Sequence, residues 1–181
     1  GSLAFVRVNA ALAAMKILYT LAAPAADQPP SVADNAMTTR RVFAQQGLLK
    51  AISRVAFSSN VHALLASATP SHPASSGSDP SRPDLGAPLS GIAGAAATLA
   101  VTALQTLGAA VHDCGDGIRA LAASRARVGS PRNAIVAAYE VLQKCPVMTV
   151  RTAAFAFLQE CLSAKETAMA EKLISSLIQS P

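Results

Sequence analysis

Apolar residues run along this chain in long, alanine-filled blocks, separated by short clusters of Pro, Gly, Ser and Asp. In the first block, LAFVRVNAALAAMKILYTLAA at 3–23, Leu12, Met15, Leu18 with Tyr19, and Ala22 recur at the three- and four-residue spacing of a helix. Alanine lines most of its other faces, so the pattern predicts a helix buried on several sides. A secretory signal needs an uninterrupted apolar centre, and a membrane span needs about 20 apolar residues. Arg7, Asn9 and Lys16 argue against both. The Gly1–Ser2 start reads as a cloning remnant, which suggests a chain cut from a longer protein.

The stretch AAPAADQPPSVADN reads as a loop, and helical spacing resumes at Met37–Thr39. Val42 and Phe43, then Leu48, Leu49, Ile52 and Val55, form two stripes on either side of Gly47, which predicts two helices meeting at a glycine corner. Asn60 is placed to cap a short helix over 61–68. Residues 69–91, TPSHPASSGSDPSRPDLGAPLSG, hold five of the eleven prolines and almost nothing to bury. They predict an exposed, disordered insertion that cannot offset the entropy of ordering, with Ser78 and Ser81 as sites a kinase could use.

A third apolar helix follows at 92–111, then the turn HDCGDG, then a helix that Gly129 ends. Pro131 suits the first turn of the next helix, which carries Ile135, Ala138, Tyr139 and Leu142. The helix Val147–Leu162 has Val150, Ala154, Phe157 and Cys161 on one stripe, with Phe155, Leu158 and Leu162 beside it. The last segment, KETAMAEKLISSLIQS, sets Met169, Leu173 and Leu177 against a polar face and predicts an outer helix.

Composition strengthens the helical reading. Forty residues are alanine, the best helix former, aromatics are 4% and Trp is absent. Valines and isoleucines never alternate as strands require. Hydrophobic residues make up 51% and the net charge is only +5, without the aromatic-rich basic clusters of nucleic-acid binders. Cys114, Cys145 and Cys161 are odd in number and include no CxxC pair, which suits buried free thiols in a reducing, cytoplasmic setting.

These blocks resemble armadillo and HEAT-type helical repeats, in which a glycine lies between a short first helix and a second helix, and a long third helix has the form VR…A…AL…LA. VFAQQGLLKAISRVAFSS and HDCGDGIRALAASRARVGS are similar to the glycine corner with its second helix. VRVNAALAAMKILYTLAA, AAATLAVTALQTLGAAV, NAIVAAYEVLQKC and VRTAAFAFLQECLS resemble third helices. Asn9 and Asn133 open two of them 124 residues apart, about three periods of forty-one, within the range for this class. The resemblance implies an all-α, armadillo-like, right-handed helical-repeat superhelix, a solenoid fragment forming a single domain over 3–181, with the 69–91 insertion inside it. One departure matters. Peptide-binding armadillo proteins grip the peptide backbone with an Asn near the end of the third helix, often with a Trp one turn earlier. Here Thr20 stands at that position, with Lys144 and Glu160 in the later helices, so the ladder for an extended basic peptide is missing.

Two clusters remain. In HDCGDG, His112, Asp113, Cys114 and Asp116 gather, but a Cys nucleophile needs a base, and a metal needs three or four convergent ligands. Helix capping by Asp113 or Asp116 explains the cluster better. Arg119, Arg125, Arg127 and Arg132 have no acid between Asp116 and Glu140, and Arg40 and Arg41, with Lys50 and Arg54, repeat the theme earlier. These arginines form a candidate surface for an acidic partner segment, because guanidinium pairs bidentately with carboxylates. If corresponding elements stack, the two groups share one face. The expectation is a non-catalytic protein–protein interaction scaffold with no cofactor, metal or small-molecule substrate. It holds an acidic or helical partner segment on this face or in the groove of its inner helices. A compact regulatory or co-chaperone bundle, and an electrostatic binder of nucleic acid or anionic membrane, are the alternatives.

Overall fold

A computed structural model describes residues 2–23, 30–68, 91–126, 132–163 and 175. Among them it holds eight helices: α1 (Ser2–Ala22), α2 (Pro30–Gln45), α3 (Leu48–Ala56), α4 (Ser59–Ala68), α5 (Gly91–Val111), α6 (Gly115–Ala123), α7 (Ala134–Lys144) and α8 (Met148–Ser163). No strand appears among the described residues, only an isolated bridge between Arg125 and Asn133.

Several boundaries follow from local chemistry. Gly47 takes φ +69°, a left-handed conformation that costs glycine nothing, and it turns the chain from α2 into α3 as the sequence predicts. The side chain of Asn133 accepts hydrogen bonds from the backbone N–H of Ile135 and Val136, at 3.1 and 2.9 Å, and so starts α7. Other boundaries differ from expectation. α2 begins at Pro30 rather than Met37, because a proline is tolerated at the first helical position. α4 begins at Ser59, which puts Asn60 inside the helix and not at its cap. α6 stops at Ala123, where Ser124 turns extended and carries Arg125 into its bridge with Asn133. No side chain caps α6: Cys114 holds its N-cap position, and Asp113 lies in the preceding turn with φ +51°. The 69–90 stretch, Gly129, Pro131 and the Met169, Leu173 and Leu177 stripe lie outside the described residues.

α5 is the centre of the molecule. It packs against α1 on one side and α8 on the other, and it also touches α3, α4 and α6. Its alanines suit this position, since a small side chain lets neighbouring helices come close on every face. Leu99, Leu104 and Leu107 project from it into one buried cluster with Met15, Leu65, Ile118, Ile135 and Phe157. Val150, Ala154, Phe157 and Cys161 of α8 are all buried, as their stripe predicts, whereas Phe155 and Leu162 face out. α1 is the main correction. Met15, beside Thr106 of α5, and Ala22 are buried, but among the described residues nothing covers the opposite side of this helix. Buried-on-all-sides packing belongs to α5, the middle helix of the layer, and not to α1 at its edge.

The order α1–α5–α8 is a layer of parallel helices. Met15 lies beside Thr106, and the ends Ala22 and His112 come together six or seven residues later. Gly108 lies against Phe157, and His112 against Glu160. α2 and α6 are neighbours on a second row, with α3 also touching α6. Two helices, Leu3–Ala22 and Gly91–Val111, are long and apolar enough to cross a membrane, with mean hydropathies of 1.3 and 1.5, and 61% of the second is buried inside the fold.

Candidate functional site

Where α1, α5 and α8 lie side by side, their C-terminal halves leave an open groove of about 160 Å³. Tyr19 forms one wall, Gln105, Gly108 and His112 the floor, and Ala156 and Glu160 the other wall. α8 lies close to Gly108: a Cβ there would be in ordinary contact with the Glu160 Cγ and the Phe157 Cα, both at 3.8 Å.

Charged groups fix the end of the groove. His112 Nδ1 lies 2.8 Å from Glu160 Oε2, and its Nε2 is 3.6 Å from Asp113 Oδ2. Behind them Arg40 is only 5% exposed. Its Nε donates to the Ala22 carbonyl at 3.0 Å and its Nη1 to the His112 carbonyl at 2.9 Å. Both carbonyls belong to helix C-terminal ends, which lack intrahelical donors and carry partial negative charge, so one guanidinium caps α1 and α5 together. Burial lowers the Arg40 pKa, opposed by the nearby Cys114, Asp113 and Glu160.

The arginine clusters divide on inspection. Arg40 is a clamp inside the fold, and the expectation that it belongs to a binding surface is set aside. Arg41 is exposed on α2. Arg119 pairs with Asp116 one turn away at 2.5 Å, and Arg132 pairs with Glu140. The two acids that bound the arginine-rich stretch are thus partners of its first and last members. Arg125 is exposed beside the Asn133 bridge, and Arg127 lies outside the described residues. α6 packs on α2 and α3, so the two clusters stand on neighbouring elements.

Of the three positions aligned with the armadillo asparagine, Glu160 lines the groove. Thr20 is exposed and bonds back to the Lys16 carbonyl, and Lys144 sits at the end of α7, outside the layer. Sequence reasoning did not find Tyr19, Gln105 or Gly108 as site residues, since nothing local marks residues brought together from three helices far apart in the sequence.

Cys161 is next to Glu160 in sequence, but burial, reinforced by that carboxylate, pushes its thiol up to about 12, and burial also raises Cys145. A thiol in that state is no nucleophile at neutral pH. Cys114 is buried at the N-cap position of α6. No group of three or more His, Cys, Asp or Glu among the described residues is placed to hold a metal ion. The chain matches no protein-family model, no curated protein and no solved structure.

Proposed function

We propose that the chain is a non-catalytic protein–protein interaction scaffold built from stacked, armadillo-like helical repeats, which holds a partner segment in the groove along α1, α5 and α8. The observation that carries this reading is the parallel layer, held in register by Arg40 across the ends of α1 and α5 and by His112–Glu160 across α5 and α8. In a repeat array, corresponding helices of successive units lie side by side and create a continuous surface. α1, α5 and α8 would be third helices, while α2 and α6, which also touch, would be first helices; this reassigns α6, likened in the sequence to a second helix, and α7, likened there to a third.

The groove fits a helical partner segment better than an extended one, because most of its lining, including Leu104, Ala109, Ala153 and Phe157, is apolar and its hydrogen-bonding groups are few. An acidic partner held by arginines has less support, since Arg119 and Arg132 already have carboxylates. A reducing cell interior belongs to the same reading, and its support is three free, buried thiols.

The test is site-specific photo-crosslinking in cells, with the reactive side chain introduced at Gln105 in one version and at Arg125 in another. The expected result is a discrete protein adduct from position 105, lost when Gly108 is replaced by Phe to fill the groove. Adducts from position 125 alone, or adducts removed by nuclease, would overturn the groove assignment.

A further inference from the structure

The groove along α1, α5 and α8 is apolar in most of its lining and charged at one end. Gln105 and His112 on α5, like Ala153 and Glu160 on α8, are seven residues apart, so the groove runs about 10 Å, or two helical turns. Gly108 and Ala156 leave room at its middle. Toward the His112 end, Tyr19 stands on the α1 wall and Glu160 on the α8 wall.

The described residues include five acids, Asp34, Asp113, Asp116, Glu140 and Glu160. Arginines pair with Asp116 and Glu140, whereas Asp113 and Glu160 share the single imidazole of His112. Glu160 gives His112 only its Oε2, at 2.8 Å, and Asp113 is farther off at 3.6 Å. The C-terminal ends of α1, α5 and α8 come together at the same place, and each carries about half a negative charge. Arg40 caps the first two of these ends from inside, so its charge is met there. One imidazole cannot offset two carboxylates and the third helix end. The groove therefore closes on negative charge, in a chain whose net charge is +5. An acidic group is repelled from that end and a cation is drawn to it.

Given a helical partner in this groove, as proposed above, we infer that the partner carries a lysine or arginine about two turns from its apolar anchor. The anchor lies over Leu104 and Ala153, and the cationic head reaches the carboxylates of Glu160 and Asp113. The aliphatic stem of a lysine, or the guanidinium plane of an arginine, lies along the exposed ring of Tyr19. A purely apolar helix fits this end poorly. It would strip water from Glu160, whose side chain is 38% exposed, and supply no cation in return.

A phage-displayed library of helices about five turns long, sorted against the purified 181-residue chain, tests this. All members share one leucine–alanine face, and each position flanking that face is Lys, Glu or Gln. The expected result is binding that Gly108→Phe abolishes, with Lys favoured over Glu at one flanking position by roughly three- to tenfold. Glu160→Gln should erase that preference and Glu160→Lys should reverse it, while Arg125→Glu leaves it unchanged. The preference is a ratio among bound helices, so partial unfolding of a variant does not imitate its loss, and circular dichroism checks each fold. No preference, a preference for Glu, or a Lys preference that survives Glu160→Lys would each overturn the inference and leave the groove reading standing. If no helix binds in a way that depends on Gly108, both fail together.

Discussion

Arg40 donates from Nη1 to the carbonyl of His112 at 2.9 Å, across 72 positions of sequence, while its Nε holds the Ala22 carbonyl. Replacing it with alanine leaves two helix-end carbonyls without their donor in a buried place. The expected loss is about 2–4 kcal/mol, measured by urea denaturation, since bonds to charged donors are individually worth more than neutral ones. Arg40→Lys should recover only part of this, because an ammonium cannot reproduce the fixed fork of the guanidinium.

The neighbouring His112–Glu160 contact should matter far less to stability. Both side chains are more than a third exposed, and exposed pairs are worth about 0–1 kcal/mol. A double-mutant cycle with His112→Ala and Glu160→Ala should return a coupling within that range at neutral pH. A coupling several times larger would mean that this contact, and not Arg40, sets the register of the layer.

Cys161 makes stability depend on alkaline pH. Its folded-state pKa, raised to about 12 by burial and by Glu160, lies above the ordinary thiol value of 9.0. Below that ordinary value both states are protonated and the contribution is fully present. As pH rises from about 9 toward 12, the unfolded chain loses the proton first, and stability falls. Denaturation midpoints for the chain and for Cys161→Ala should converge across that window. Within the folded protein, thiol labelling of Cys161 at pH 8 should proceed only as fast as unfolding.

Gly108 tolerates one carbon and no more. A Cβ at this position meets ordinary van der Waals contacts at 3.8 Å, so Gly108→Ala should stabilise α5 by about 0.5–1 kcal/mol through helix propensity alone. Gly108→Phe should cost stability and abolish whatever the groove holds. Thermal melts of the two variants give the comparison.

The helical elements were legible in the sequence because alanine-rich blocks and their Pro/Gly breaks are local signals. The corner at Gly47 and the buried stripe of Val150, Ala154, Phe157 and Cys161 were read from spacing alone. Edge and centre were not legible. α1 and α5 have the same length and are both apolar and rich in alanine, and two charges in α1 against none in α5 are too slight a difference to say that α5 is enclosed while α1 is open on one side. Arg40 shows the same limit in a charged residue. Beside Arg41 it looks like surface, and its burial follows from two helix ends far away in sequence meeting over it. The groove is a product of that meeting too, so no window of sequence contains it.

The central place of α5 bears on how this protein could be taken apart. α1, α3 and α4 all rest on it, yet it comes after residues 69–90, so the first 68 residues are missing the element that completes their interior. A chain divided within 69–90 should therefore give two pieces that are each poorly structured alone and regain order when mixed. The protein thus offers a natural place for a split reporter, in which restored folding records that the two halves have been brought together.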